Sequence, residues 1–116
     1  MFKFQKLDVW KKSVDFCDMI LFLVEDFPQK YQFSLGDQLK RASISIPANI
    51  AEGCGRKTKR DSANFFNIAK GSAYEVVSLL TVASKRNLLN NKFNRVEVYR
   101  QAEDICKMLS GLIKKA

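Results

Sequence analysis

The sequence predicts an all-α protein, an antiparallel up-down-up-down four-helix bundle forming one domain over residues 1–116. Three observations predict it. Apolar residues recur every three or four positions in four successive segments, and no segment alternates as a strand would. The stretches between these segments are short, which favours antiparallel neighbours. Only two prolines and five glycines interrupt a chain that is 47% hydrophobic, enough for long helices around one core.

Each element has its own punctuation. Helix one starts at Asp8, an N-cap after apolar Leu7, and ends where Phe27-Pro28 stops it. Trp10, Val14, Cys17, Leu21 and Val24 carry its core stripe. Helix two starts at Ser34, with Asp37 three residues on as a capping-box variant. Its stripe is Leu35, Leu39, Ala42, Ile46 and Ile50. Pro47 lacks an N–H and crowds the carbonyl of Ser43, so a kink is expected there. Gly53 and Gly55 read as left-handed residues ending the helix. Helix three starts at Thr58, with Asp61 following, and buries Phe66, Ala69, Ala73, Val76, Leu80 and Ala83. Gly71 and Ser72 are small enough to let a neighbour approach. Asn87 to Asn91 form a turn. Helix four runs from Lys92 or Asn94 to Lys114, with Val98, Ala102, Ile105, Leu109 and Leu112 inward.

The composition disfavours catalysis. The chain has no histidine, the usual general base and commonest metal ligand. Cys17, Cys54 and Cys106 are too widely spaced for a metal site or CxxC pair, so no cofactor or metal is expected. Gly53-Cys54-Gly55-Arg56-Lys57 imitates a phosphate loop, but a helix precedes it and no Gly-Lys-Ser/Thr ending follows. The neighbouring Arg56 and Lys57 would lower the Cys54 pKa, which points to oxidation sensitivity rather than catalysis. Met1 to Trp10 lack a signal-peptide core, and the longest apolar run, Met19 to Val24, is too short to span a bilayer. A cytoplasmic protein without membrane contact is expected.

Charge supplies the functional lead. The formal net charge is +8, a balance that attracts polyanions. In the predicted topology the chain start, the hinge between helices two and three, and the chain end share one pole. That places Lys3, Lys6, Lys11, Lys12, Arg56, Lys57, Lys59, Arg60, Lys114 and Lys115 together, opposed by Asp8, Glu52 and Asp61. Arg56, Lys57, Lys59, Arg60, Lys11, Lys12, Lys114 and Lys115 are the candidate nucleic-acid contacts, acting on phosphates with little sequence preference. No aromatic residue lies within Gly53–Arg60 to stack on bases.

Helix one carries more apolar surface than one stripe needs. Phe22 shares a stripe with Asp15, Asp18 and Asp26, while Val9, Phe16, Leu23 and Phe27 form a second apolar stripe. Phe16, Met19, Phe22, Leu23 and Phe27 are therefore the expected self-association face. Two ion pairs are expected: Glu52 with Arg56 at i, i+4, and Arg41 with Glu75 between helices two and three.

The run Gln38 to Arg56, containing Ser45-Ile46-Pro47-Ala48-Asn49-Ile50-Ala51-Glu52-Gly53, carries a family signature, as does Ile68-Ala69-Lys70-Gly71-Ser72-Ala73-Tyr74-Glu75. With Leu7-Asp8-Val9-Trp10 and Phe27-Pro28, these residues resemble the four-helix-bundle proteins encoded in intervening sequences of 23S ribosomal RNA genes. The accessory variability proteins of diversity-generating retroelements are similar. The resemblance implies a bacterial four-helix bundle, often a ring-like homopentamer. Its retroelement relatives bind a reverse transcriptase and nucleic acid through basic surface. Arg41, Asn49, Glu52, Arg56, Gly71 and Glu75 match the family pattern, and the resemblance implies bundle-organising roles for Asn49, Glu52 and Glu75 and a nucleic-acid contact for Arg56; Arg41, Pro47, Gly53 and Gly71 are likewise expected to be structural. Lys40 and Ala73-Tyr74 depart from the usual pattern. The expectation is a homo-oligomer that binds RNA or DNA. The alternative is a protein-interaction scaffold, an accessory subunit of a nucleic-acid enzyme.

Overall fold

The computed structural model describes residues 1–90 and 93–115. Four long helices carry the fold: α1 (Asp8–Glu25), α2 (Asp37–Cys54), α3 (Lys59–Lys85) and α4 (Arg95–Lys115). A 3-10 turn, Lys3–Lys6, precedes α1, and a helical turn followed by a π-helical turn, Gln29–Tyr31 and Gln32–Gly36, leads into α2. No strand occurs among the described residues. At ~1.5 Å per residue α3 is about 40 Å long, which matches the 43 Å long axis of the molecule.

Cross-helix contacts establish the topology. Ser45 meets Ser72, and Gly53 meets Phe66, so α2 and α3 run antiparallel. Cys17 on α1 bonds Ser43 on α2, and Thr81 on α3 bonds Tyr99 on α4. The ring closes where Lys12 and Asp15 face Arg100 and Asp104, while Phe22 and Leu23 face Phe93 and Val98. The result is the up-down-up-down bundle, with Phe16, Ile20, Leu39, Ile46, Val76, Leu80, Ile105 and Leu109 among its fully buried side chains.

The main departure from expectation lies in α1. Phe16, Leu23 and Phe27 are buried in this chain's own core and are not a self-association face. Val14, assigned to the core, is instead exposed. Neighbouring helices and the segment after α1 together account for the difference. That segment folds back across the helix end, where the Gln32 side-chain amide donates to the carbonyls of Val24 and Phe27, both at 2.9 Å. The Val24 carbonyl also accepts from the Phe27 amide at 2.9 Å, so the Gln32 side chain adds a second bond just at the end of α1. Leu23 lies beside Phe93 and Val98, and Phe16, Leu23 and Phe27 all belong to the one hydrophobic core. Only Phe22 stays exposed and Met19 half-buried.

Several boundaries shift for local reasons. Asp8 is the first residue of α1, and Leu7 is its extended N-cap. Ser34 does not cap α2. It lies in the π-helical turn, with its hydroxyl 3.4 Å from the Tyr31 carbonyl. Asp37 instead pairs with Arg41 at 2.9 Å, one turn along the same helix. The expected Arg41–Glu75 pair is consequently absent among the described residues. The assigned helix α2 runs on through Pro47. Thr58 does cap α3, accepting from the Asp61 amide at 3.1 Å. Asn87 adopts φ 58° just past α3, a conformation asparagine tolerates at a helix end. Asn94 accepts from the Glu97 amide at 3.0 Å and starts α4. The alternative start, Lys92, lies outside the described residues.

Gly53 and Gly55 are not left-handed, since no described glycine has positive φ. Gly53 serves close packing instead. A Cβ there would lie 2.6 Å from Phe66 Cε1 and 3.1 Å from the Ser62 carbonyl oxygen. Gly71 has the opposite setting. It is exposed, and a Cβ would meet nothing within 4 Å. The close approach beside it belongs to Ser72, whose hydroxyl donates to Ser45 Oγ at 2.8 Å. Asn49 completes that seam by donating to the Ser45 carbonyl and hydroxyl, both at 2.8 Å.

These two glycines should respond in opposite directions. Gly53→Ala should destabilise the bundle by about 1–3 kcal/mol through overpacking against Phe66. Gly71→Ala should stabilise it by roughly 0.5–1 kcal/mol, because alanine suits an exposed helix interior better. Urea unfolding followed by circular dichroism reads both. Equal midpoints for the two variants would contradict this packing.

Candidate nucleic-acid interface

The hinge between α2 and α3 presents a tight group of bases. Arg56, Lys57, Lys59 and Arg60 are all exposed. Arg56 is the most engaged of them. Its guanidinium bonds Glu52 at 2.7 Å, as expected, and lies 4.4 Å from the centre of the Phe65 ring. Phe65 lies across the hinge from Arg56, and no local spacing pairs the two. Lys57, Lys59 and Arg60 form no ion pair among the described residues. They stand at the start of the long α3, whose unpaired backbone N–H groups add positive potential, partly offset by Asp61.

The chain start joins this pole. Phe4 packs edge-on against Trp10 with ring centres 5.1 Å apart, and Phe2 stacks on Phe4 at 5.8 Å. This aromatic stack anchors the turn that carries Lys3 and Lys6. Lys3 lies close enough to Cys54 to act on its thiol.

Other predicted contacts are placed differently. Lys11 is exposed on the first turns of α1. Lys12 faces a mixed-charge hollow with Asp15, Glu97, Arg100 and Asp104. Glu97 titrates below the usual carboxylate range there, chiefly because Arg100 bonds it at 2.6 Å. Lys114 lines a groove beside Lys70, some way along α3 from the hinge, and Lys115 is exposed at the end of α4. The hinge and chain start therefore form one basic end, while Lys114 belongs to the bundle's side.

At the opposite end, Arg86 donates to the Tyr31 hydroxyl at 2.9 and 3.0 Å, and Asn90 donates to Asp26 at 2.8 Å. The bond from Arg86 also holds the Tyr31 phenol below its ordinary pKa. These contacts tie the α1–α2 connection to the end of α3. They join residues 55 and 64 positions apart, so local sequence pattern could not reveal them.

Among the described residues no group of His, Cys, Asp and Glu could hold a metal ion, and no helix is long and apolar enough to cross a membrane. Cys54 differs from expectation. Burial pushes its thiol up, and the opposing effect of Lys3 is smaller. Arg56 is turned to Glu52 and Phe65 instead. Burial raises the Cys106 thiol likewise, with Lys70 opposing and Glu103 adding to the shift.

Fold and surface define a class: a basic-ended four-helix bundle built on a close α2–α3 seam. The chain belongs to the 23S rRNA-intervening sequence protein family, whose model matches residues 5–111. It is also similar to a crystal structure from Bacteroides thetaiotaomicron, described as a protein of unknown function from the S23 ribosomal protein family. The TM-score is 0.81 at 26% identity, covering 91% of this chain and 98% of that one. No curated protein matches the chain.

The thiol environments give a direct check. At pH 8, Cys54 and Cys106 should react with iodoacetamide several-fold more slowly than free cysteine, because a raised pKa leaves less thiolate. Peptide mass spectrometry over a time course measures each site. Faster-than-free alkylation of Cys54 would show that its basic neighbours outweigh burial.

Proposed function

We propose that this protein binds nucleic acid, with structured RNA as the principal target, through the basic end formed by the α2–α3 hinge and the chain start. The supporting observation is the group Lys57, Lys59 and Arg60, exposed and without ion pairs among the described residues, at the start of α3. Lys3 and Lys6, on the anchored turn, extend it. Such bases contact phosphate oxygens and release counterions, giving affinity with little sequence preference. The family's link to 23S rRNA genes accords with this reading.

A second element of the proposal is self-association, carried by the apolar side chains left at the surface. Phe22 is 57% exposed, and Ile44, Ile68 and Val82 are each about half exposed. Single exposed apolar residues are ordinary. Ile68 and Val82 share the outward side of α3 with Gly71, Glu75 and Ser78, and this is the side we assign to a second copy.

RNA affinity should fall steeply with salt, with a log–log slope that grows by roughly 0.7–0.9 for each phosphate neutralised. Reversing Arg56, Lys57, Lys59 and Arg60 to Glu should reduce affinity at least tenfold and flatten that slope. Fluorescence anisotropy with a labelled RNA hairpin measures both quantities, and unchanged binding by the quadruple variant would exclude the hinge. Light scattering at high concentration should give a mass several times the 13.3 kDa chain. A strictly monomeric mass would remove the self-association element.

A further inference from the structure

We infer that the groove between α3 and α4 is a second nucleic-acid site, one that takes a single-stranded segment by stacking a base on Tyr74. The inference rests on the nucleic-acid reading above and assigns it a separate location. The groove encloses about 720 Å³, the size of a small-ligand pocket. Its walls are one face of each helix: Lys70, Tyr74 and Val77 from α3, and Tyr99, Lys107 and Lys114 from α4. The spacing i, i+4, i+7 on α3 puts those three residues on one side.

The chemistry of these walls selects the occupant. Lys70, Lys107 and Lys114 supply positive charge against one carboxylate, Glu103, and none of the three lysines is in an ion pair among the described residues. An anion is therefore favoured. The floor between them is apolar and shallow-sided because Ala73 and Ala102 are small. A bare polyanion gains nothing from such a floor, whereas a base has a flat apolar face to bury. Tyr74 is 63% exposed, so its ring is available as a platform. The Tyr99 hydroxyl lies 3.3 Å from Thr81 Oγ1, and that bond holds the second ring against α3. Glu103 offers an acceptor to an exocyclic amino group at the base edge. Exposed aromatic rings beside lysines are the combination that single strands use, with stacking for the base and charge for the backbone. A duplex keeps its bases stacked inside and cannot present one to a groove between two helices.

The two sites can be separated experimentally. The probes are a fluorescein-labelled single-stranded RNA octamer, a labelled blunt-ended RNA duplex and inorganic polyphosphate, each titrated by anisotropy or competition. Tyr74→Ala should weaken octamer binding about tenfold, the scale of one lost base stack, and leave duplex binding within twofold. Tyr74→Phe should restore the octamer, since it keeps the ring. Lys107→Glu should weaken the octamer as well. Tyr74 is exposed, so neither substitution there threatens the core, and circular dichroism confirms the fold. Polyphosphate should be indifferent to Tyr74→Ala. If the parent binds the octamer and Tyr74→Ala binds it equally well, the groove is not a stacking site and only the hinge reading survives. Sensitivity of polyphosphate to Tyr74→Ala would also overturn stacking. A parent that binds neither RNA overturns both readings together.

Discussion

The close contact of α2 with α3 is the constraint on which the rest of the architecture depends. Gly53 lets the Phe66 ring lie directly against the α2 backbone. Farther along, Ser72, Ser45 and Asn49 replace apolar packing with a short hydrogen-bonded chain between the same helices. Such a pairing permits only one register, because sliding would drive Phe66 into a side chain and strand the buried hydroxyls without partners. With register set, the hinge Gly55–Thr58 must turn within a few residues. The bases around it are thus forced to the end of the molecule, beyond the last turn of α2. Their concentration follows from packing as much as from composition.

This seam was legible in the sequence only in outline. The small residues Gly71 and Ser72 announced a close approach, and the apolar periodicity of α2, α3 and α4 announced helices and their inward faces, while Gly53 read only as a helix end. A glycine near a helix end, however, has two physical uses. It can adopt positive φ, or it can yield space to a neighbour. Sequence alone does not separate them, because the deciding partner, Phe66, lies on another helix. Gly71 illustrates the reverse case: a glycine within a family-like motif whose Cβ position faces open space.

Phe16, Leu23 and Phe27, read from α1 as part of a self-association face, are interior for a related reason. Periodicity measures how residues are arranged around one helix axis, not how much neighbouring chain wraps that axis. Here α4 lies along Leu23, and the Gln29–Gly36 segment is fastened at the end of α1 by Gln32, which donates to the carbonyls of Val24 and Phe27. Arg86 and Asn90 then brace the same end from α3 and the loop after it. What reads as a broad exposed stripe becomes interior, and Phe22 alone remains fully outside. The candidate basic residues at the hinge were legible because hinge position follows directly from topology. Lys12 and Lys114 were misplaced because their neighbours, Glu97 and Lys70, depend on how α4 is displaced along the bundle.

That displacement separates two kinds of anion surface. Tyr99 on α4 stands level with Thr81 on α3, so Lys114 reaches only to the neighbourhood of Lys70. The hinge thus stands clear of the last turn of α4, open to a rigid phosphate surface. The α3–α4 groove is concave, narrow and partly aromatic. It suits a flexible strand whose bases can turn outward. A structured RNA contains both features, helical backbone and unpaired nucleotides, and α3 is the element that carries residues of both sites. Its length, set by the bundle's long axis, holds Lys59 and Arg60 apart from Lys70 and Tyr74 by about three to four helical turns. On the proposed reading, an RNA that engages both sites needs a duplex end and an adjoining unpaired segment within that reach, so the spacing along α3 would select for shape rather than sequence.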